Sequence, residues 1–384
     1  MNTKTMMLIC VFAGVLAAGM PRLAFASVDD YRSAYPDLQA GTESALKWGL
    51  GEFDATAGWA IVMDAKTGEI YAMASCPGHP GTNRAITLNY EPGAVMMVIT
   101  AAAALDSNPK KYDPEARIST NRQDPNYYRL PGDGSHVWEP TISLTEAVCR
   151  SCNIVMGKVS YDLGPYTMHK YLRLFGFGSK TGIELPGEQS GILPDPQKWD
   201  KASWSRAGVG QYVAVTPIQL ASAYQVLAND GVRMKPYIID RIGDVGGTEL
   251  AKRKPEEVGR AISADTARKL RQMLTGVVAT NGLAPGAAIR GYSVAGKTGT
   301  AQKLDGRRGW SSSQYYATFV GIVPAYNPRL VILTVLDFDH RTKFHQGGNS
   351  AGPVFRRIAL AALRILGVQP DKPDELDGQE ADEH

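Results

Sequence analysis

Three segments of this sequence hold residues that could carry acyl-transfer chemistry: Ser151-Cys152-Asn153, Lys297-Thr298-Gly299-Thr300, and the turn Tyr90-Glu91-Pro92-Gly93 leading into Ala94-Val95-Met96-Met97. Acyl transfer needs a nucleophile, a base to take its proton and donors for the developing oxyanion. Serine and lysine can supply the first two, and an asparagine amide and threonine hydroxyls can orient a peptide-like substrate. The mouth of a helix is where backbone N–H groups and the helix dipole favour negative charge, and the Glu-Pro-Gly turn opens such a helix. Yet alanine has no nucleophilic atom, and the thioether of methionine cannot take a proton near neutral pH.

Short patterns recur elsewhere and carry less. Ser44-x-x-Lys47 and Ser107-x-x-Lys110 both fit serine-x-x-lysine, and Lys180-Thr181-Gly182 repeats the lysine-threonine-glycine triplet. The first sits inside an expected helix, the second just before a helix-breaking proline and the third in a loop, so order and flanking context must decide. Histidines 79, 136, 169, 340, 345 and 384 are dispersed, and His340 and His345 lack a third ligand at metal spacing. No metal or cofactor is expected, and no phosphate-loop or dinucleotide fingerprint is present.

The elements that must position these residues follow from periodicity. Leu38, Ala45, Leu46, Trp48 and Leu50 predict an amphipathic helix over 35–53, ended by Gly49 and Gly51. Runs 59–64 and 69–74, joined by Ala65-Lys66-Thr67-Gly68, predict a β-hairpin. The all-apolar stretch 94–105 predicts a buried central helix. Further helices are expected at 143–150, 154–163, 217–229 (Thr216 capping, Pro217 in the first turn), 264–279 and 353–366, with a loop over 175–191. Strands are expected at 293–300, 316–324 and 329–337, so the sheet gathers strands from both ends of the chain.

Composition bounds the class. The chain has 384 residues, 44% hydrophobic and 21% charged, the make-up of a globular protein, and its net charge of +3 is too small for a nucleic-acid partner. Lys4, the apolar run 6–20 and Ala24-Phe25-Ala26 form a secretory signal pattern over residues 1–26. The run is short for a membrane span, which favours cleavage near Ser27 over a kept anchor. Ile9 before Cys10 argues against lipidation. Cleavage leaves Cys76, Cys149 and Cys152, an odd number, so at least one thiol stays free. Cys149-x-x-Cys152 could be a redox pair, but without a thioredoxin-like context these read as small buried residues. Residues 368–384 read as an acidic, disordered tail behind a domain spanning 27–367.

Four segments in order strongly resemble the transpeptidase domain of class B penicillin-binding proteins: Asn83-Arg84-Ala85 with Tyr90-Glu91-Pro92-Gly93; Ser151-Cys152-Asn153; the stretch 210–220, Gly-Gln-Tyr-Val-Ala-Val-Thr-Pro-Ile-Gln-Leu; and Gly296-Lys297-Thr298-Gly299-Thr300-Ala301-Gln302. The resemblance runs from about Leu38 to about Ile365. It implies a three-layer α-β-α sandwich, an α/β fold with an antiparallel sheet of about five strands, and a mostly helical subdomain inserted between Leu105 and Thr216. It places the nucleophile position at Ala94 and the base position at Met97, both vacant, with Val98 where relatives have proline. By the same resemblance Ser151 relays a proton, Asn153 holds a peptide carbonyl and Lys297 supplies charge. Thr298, Gly299 and Thr300 receive the carboxylate of a D-Ala-D-Ala peptide or a β-lactam. The plain alternative is an edge strand with loop-capping residues.

The resulting expectation is an exported, periplasmic or extracytoplasmic protein of peptidoglycan metabolism, a pseudo-transpeptidase. It binds wall peptide or β-lactam non-covalently, or a partner among cell-wall synthesis proteins. The alternative is an active D,D-transpeptidase or carboxypeptidase using Ser151, beside Lys297, or Cys152 as substitute nucleophile. Only a short stretch separates Ser27 from the first family helix, where class B relatives carry a pedestal domain, which counts against a role as a core synthase.

Overall fold

The computed structural model describes residues 35–78, 82–125, 130, 139–238, 241–243, 249–304 and 309–375. The expected signal segment 1–26 and histidines 79, 136 and 384 lie outside them.

Five antiparallel strands form the central sheet: β1 (Ala57–Asp64), β2 (Ile70–Cys76), β3 (Ala295–Leu304), β4 (Trp310–Val323) and β5 (Leu330–Phe338), in the order β2-β1-β5-β4-β3. Every residue of β1 and of β5 is buried. These strands read as continuous apolar runs because helices cover both faces of the sheet. On one face lie α1 (Pro36–Phe53) and, from the far end of the chain, α8 (Ala351–Ile365). The other face carries the central helix α2 (Met97–Ser107) and α6 (Pro217–Ala228), all twelve of whose residues are buried. Between them come α3 (Leu144–Cys149), α4 (Asn153–Leu174) and α5 (Lys201–Gly208) of the helical subdomain, and α7 (Ala264–Leu274) follows. The three-layer α/β architecture is the one the sequence led us to expect.

Local chemistry accounts for the element ends. Ser143 and Glu146 close a capping box at α3: the serine hydroxyl accepts from the Glu146 amide, and the hydrogen bonds that Ser143, its backbone amide first, donates to the Glu146 carboxylate hold that carboxyl below its usual range. Thr216 and Gln219 do the same for α6, and the Gln219 amide also donates to the carbonyls of Ser179 and Ser190, pinning the 175–191 loop. α4 runs on past Leu163, resuming after a break at Gly164, whose φ is +74°, followed by Pro165.

Three expectations need correction. Gly49 and Gly51 do not end α1, which continues to Phe53. A Cβ on Gly49 would stand 2.4 Å from Cγ2 of Val354, so glycine there serves the close approach of α1 and α8. The helix from 264 stops at Leu274 and tightens into a 3₁₀ turn at 275–277 instead of reaching 279. The segment 368–375 is docked rather than disordered. The Val368 carbonyl accepts from the Tyr292 hydroxyl at 2.7 Å, Asp371 accepts from the Ser293 amide at 2.7 Å, and Lys372 N–H donates to the Gly291 carbonyl at 3.0 Å. Residues 376–384 lie outside the described residues.

Candidate active site

The turn before Ala94 is wedged between two other backbones. Tyr90 exchanges both backbone hydrogen bonds with Val215, and the Gly93 amide donates to the Gly210 carbonyl at 3.1 Å. Gly210 has φ +76°, and a Cβ there would lie 2.1 Å from the Gly93 oxygen, so no other residue fits. On the opposite side, a Cβ on Gly299 of β3 would stand 2.9 Å from the Pro92 oxygen. Glu91 locks the arrangement: one carboxylate oxygen accepts from the Tyr212 amide at 2.8 Å and the other from the Trp310 indole at 2.7 Å. This one side chain joins the turn, the helical subdomain and the start of β4.

Ala94 sits, partly exposed, in the 3₁₀ turn Gly93–Met96 that runs straight into α2. Met97 and Val98 are fully buried, as are the residues after them through Ala104. The helix wall behind position 94 is therefore apolar, with no group there able to accept a proton.

Ser151 lies in the link between α3 and α4 with φ +54°, a left-handed conformation that is uncommon for a residue with a Cβ. Its hydroxyl accepts from the Lys297 ammonium at 2.5 Å. Lys297 is fully buried, donates also to the Thr298 carbonyl at 3.1 Å, and has no carboxylate within ion-pair distance among the described residues. Burial pulls it down to about 7, against which the neighbouring Cys149 acts only weakly. Burial in turn pushes the Cys149 thiol up to about 11, Lys297 drawing it back, and its sulfur donates to the Met273 carbonyl at 3.1 Å. Cys149 is thus a protonated, unreactive thiol. Cys76, Cys149 and Cys152 form no disulfide among the described residues.

Asn153 opens α4, partly exposed, and Cys152 before it is fully buried. Along β3 the alternation of side chains puts Lys297, Gly299 and Ala301 on the side of the Ala94 turn, and Thr298 and Thr300 on the other pleat. Thr298 is buried. Thr300 is exposed at the sheet edge, where its oxygen accepts from the Gly347 amide at 3.2 Å and its proton stays available.

The structure thus brings Ser151 to Lys297 and lays β3 against the Ala94 turn. It leaves the other short patterns apart. Ser44 is in α1, Ser107 donates to the Ala103 carbonyl at 2.6 Å, and Thr181 is held by Glu188. His340 meets Asp54, and His345 the Thr342 carbonyl. Sequence reasoning missed Glu91 as the tie between three elements. It stood inside the quoted turn, but the indole partner lies more than two hundred positions away and leaves no local signal.

The penicillin-binding protein transpeptidase domain family matches residues 58–360. Penicillin-binding protein PbpB of Mycolicibacterium smegmatis is 35% identical over 338 residues, 82% of this chain and 51% of that protein. The probable peptidoglycan D,D-transpeptidase PbpC of Pseudomonas aeruginosa is 32% identical over 347 residues, 87% of this chain and 58% of that protein. Among solved structures, the transpeptidase domain of Burkholderia pseudomallei penicillin-binding protein 3 superposes with a TM-score of 0.75 at 32% identity, covering 88% of this chain and 96% of that one. Penicillin-binding protein 3 of Mycobacterium tuberculosis in complex with aztreonam gives 0.77 at 31% identity, covering 88% and 79%. The chain spans about half the length of the first of these curated relatives. With fold, turn geometry and relatives in agreement, this chain belongs to the penicillin-binding protein transpeptidase family, class B.

Proposed function

We propose that this chain is an exported pseudo-transpeptidase of cell-wall metabolism that binds the D-Ala-D-Ala end of a peptidoglycan stem peptide without forming an acyl-enzyme at position 94. The observation that carries the reading is the contrast between the Ala94 turn and the β3 strand packed beside it. Ala94 and the fully buried Met97 stand at the helix mouth, while Ser151, Lys297 and the exposed Thr300 keep their polar contacts. Removing a serine nucleophile from another hydrolase costs on the order of a million-fold in turnover, so transpeptidation through this turn is abolished in practice.

Binding needs only the groups that remain. The Thr300 proton meets a terminal carboxylate, Lys297 supplies charge below about pH 7, and Asn153 at the start of α4 meets a peptide carbonyl. Occupancy by a β-lactam, with its own carboxylate, follows the same logic. The N-terminal apolar run and its Ala-x-Ala end support export, where wall peptide and cell-wall synthesis proteins would be met.

The test is calorimetry with a D-Ala-D-Ala stem peptide, alongside chromatography for free D-alanine. Saturable binding without D-alanine release is expected, and Thr300→Ala should weaken it by about tenfold, the worth of one hydrogen bond to a charged group. Release of D-alanine, or no binding by the unmutated protein, overturns the proposal.

A further inference from the structure

Independently of stem-peptide binding, we propose that Ser151 and Lys297 form a second acyl-transfer pair, competent toward activated esters and thioesters but not toward peptide bonds. The nucleophile is the Ser151 hydroxyl and the base is Lys297, whose nitrogen stands 2.5 Å away. A base needs an available lone pair, and two features of the site favour the neutral amine. Lys297 is fully buried and, among the described residues, has no carboxylate beside it; burial draws it down to about 7, so above that pH most of it is unprotonated. In the neutral form the contact reverses, the serine hydroxyl donating to the amine.

The backbone at Ser151 points the same way. Its φ of +54° makes a sharp turn directly before a long helix, α4. A strained serine at the entrance to a helix is how hydrolases expose a nucleophile beside oxyanion donors. Here no side chain caps α4. The first-turn amides of Asn153, Ile154 and Val155 have no intrahelical acceptor, and no other acceptor stands against them among the described residues. Those amides and the helix dipole can take up charge on an acyl oxygen next to Ser151.

Lys297 takes the hydroxyl proton while the Ser151 oxygen bonds to the acyl carbon. The tetrahedral intermediate collapses with loss of an aryloxide or thiolate, leaving an ester on Ser151. Lys297 hands the hydroxyl proton to the released aryloxide or thiolate and is neutral again; water then attacks the ester, Lys297 takes a proton from it and returns it to the Ser151 oxygen, and the acid and free serine are regenerated. An amide would have to leave as an amine, which requires a positioned acid to protonate it. Among the buried residues Met97–Leu105 of α2 no side chain titrates, so the protonated Lys297 is the one acid this proposal supplies, and the pair favours leaving groups that depart as anions.

The experiment uses the full chain with p-nitrophenyl acetate and with an acetyl thioester. Expected is a stoichiometric burst with the acetyl group mapped to Ser151 by peptide mass spectrometry. Its rate should rise about tenfold per pH unit up to about 7 and level off above. Lys297→Gln should slow the burst at least about a hundredfold. Ser151→Gly, which suits the left-handed backbone and so keeps the fold, should abolish it, and Ser151→Cys should retain it. Acetylation at Cys149 or Lys297 instead, a burst surviving in Ser151→Gly, no burst, or a rate still climbing at alkaline pH overturns the proposal. Because the readout is an ester adduct, failure of stem-peptide binding leaves this result unaffected.

Discussion

Replacing Lys297 with methionine should stabilise the protein at neutral and acid pH, the reverse of most core substitutions. The folded lysine titrates at about 7 and the ordinary value is 10.5. Between the two the unfolded chain holds about one more proton than the folded one, so stability climbs with pH through that window and is lost as pH falls through it. At about 1.36 kcal/mol per pH unit, the difference amounts to roughly 4 to 5 kcal/mol against folding at pH 6, an upper figure because interiors relax. Methionine has similar length and needs no solvation, but it gives up hydrogen bonds to Ser151 and to the Thr298 carbonyl, worth about 1 kcal/mol each. The net expectation is a gain of about 2 to 3 kcal/mol at pH 6, shrinking with rising pH and turning into a small loss near pH 10. Guanidinium unfolding at several pH values measures it, provided the slope with denaturant is unchanged. A variant less stable than its parent at pH 6, or a difference flat with pH, would refute the reasoning. It would mean that Lys297 is an ordinary structural lysine rather than a costly residue kept for a site.

Two further outcomes follow from the framework around the site. Gly210→Ala should cost at least about 2 kcal/mol and weaken stem-peptide binding, because its Cβ would strike the Gly93 oxygen at 2.1 Å on a backbone with φ +76°; a thermal midpoint within a degree of the parent would count against the wedged turn. Asp371→Ala removes the carboxylate that accepts from the Ser293 amide and hydroxyl, and should cost about 1 to 3 kcal/mol with faster hydrogen exchange over 290–294; unchanged exchange would restore the reading of a free tail.

Much of the fold was legible because its signals are local. The hairpin around Gly68, the capping residues Ser143 and Thr216 and the apolar strands near the C-terminus each announce themselves within a few positions. What failed to show is long-range. Gly49 looks like a helix stop until Val354 is packed against it, and the segment after Val368 looks solvated until Tyr292 and Ser293 supply its partners. The same division holds at the site. The identities of Ala94, Met97, Ser151 and Lys297 could be read in order. Their electrostatics could not, since the depth of Lys297 and the absence of a carboxylate beside it exist only once the sheet is assembled.

That electrostatic fact bears on the pairing of Ala94 with Met97. A lysine at position 97 would place a second ammonium in a helix wall where every residue from Met97 to Ala104 is fully buried, and Lys297 already tolerates its own charge poorly. Two such cations in one dry site can coexist only if they share acceptors, and a serine hydroxyl at 94 would be one of them. Once residue 94 has no oxygen, a lysine at 97 loses an acceptor and keeps its desolvation cost, which favours an apolar side chain of similar length such as methionine. On the proposed reading, alanine at 94 and methionine at 97 therefore belong together. Absence of the hydroxyl makes the base a liability, whereas Lys297 keeps two oxygen partners, Ser151 and the Thr298 carbonyl, that do not depend on residue 94.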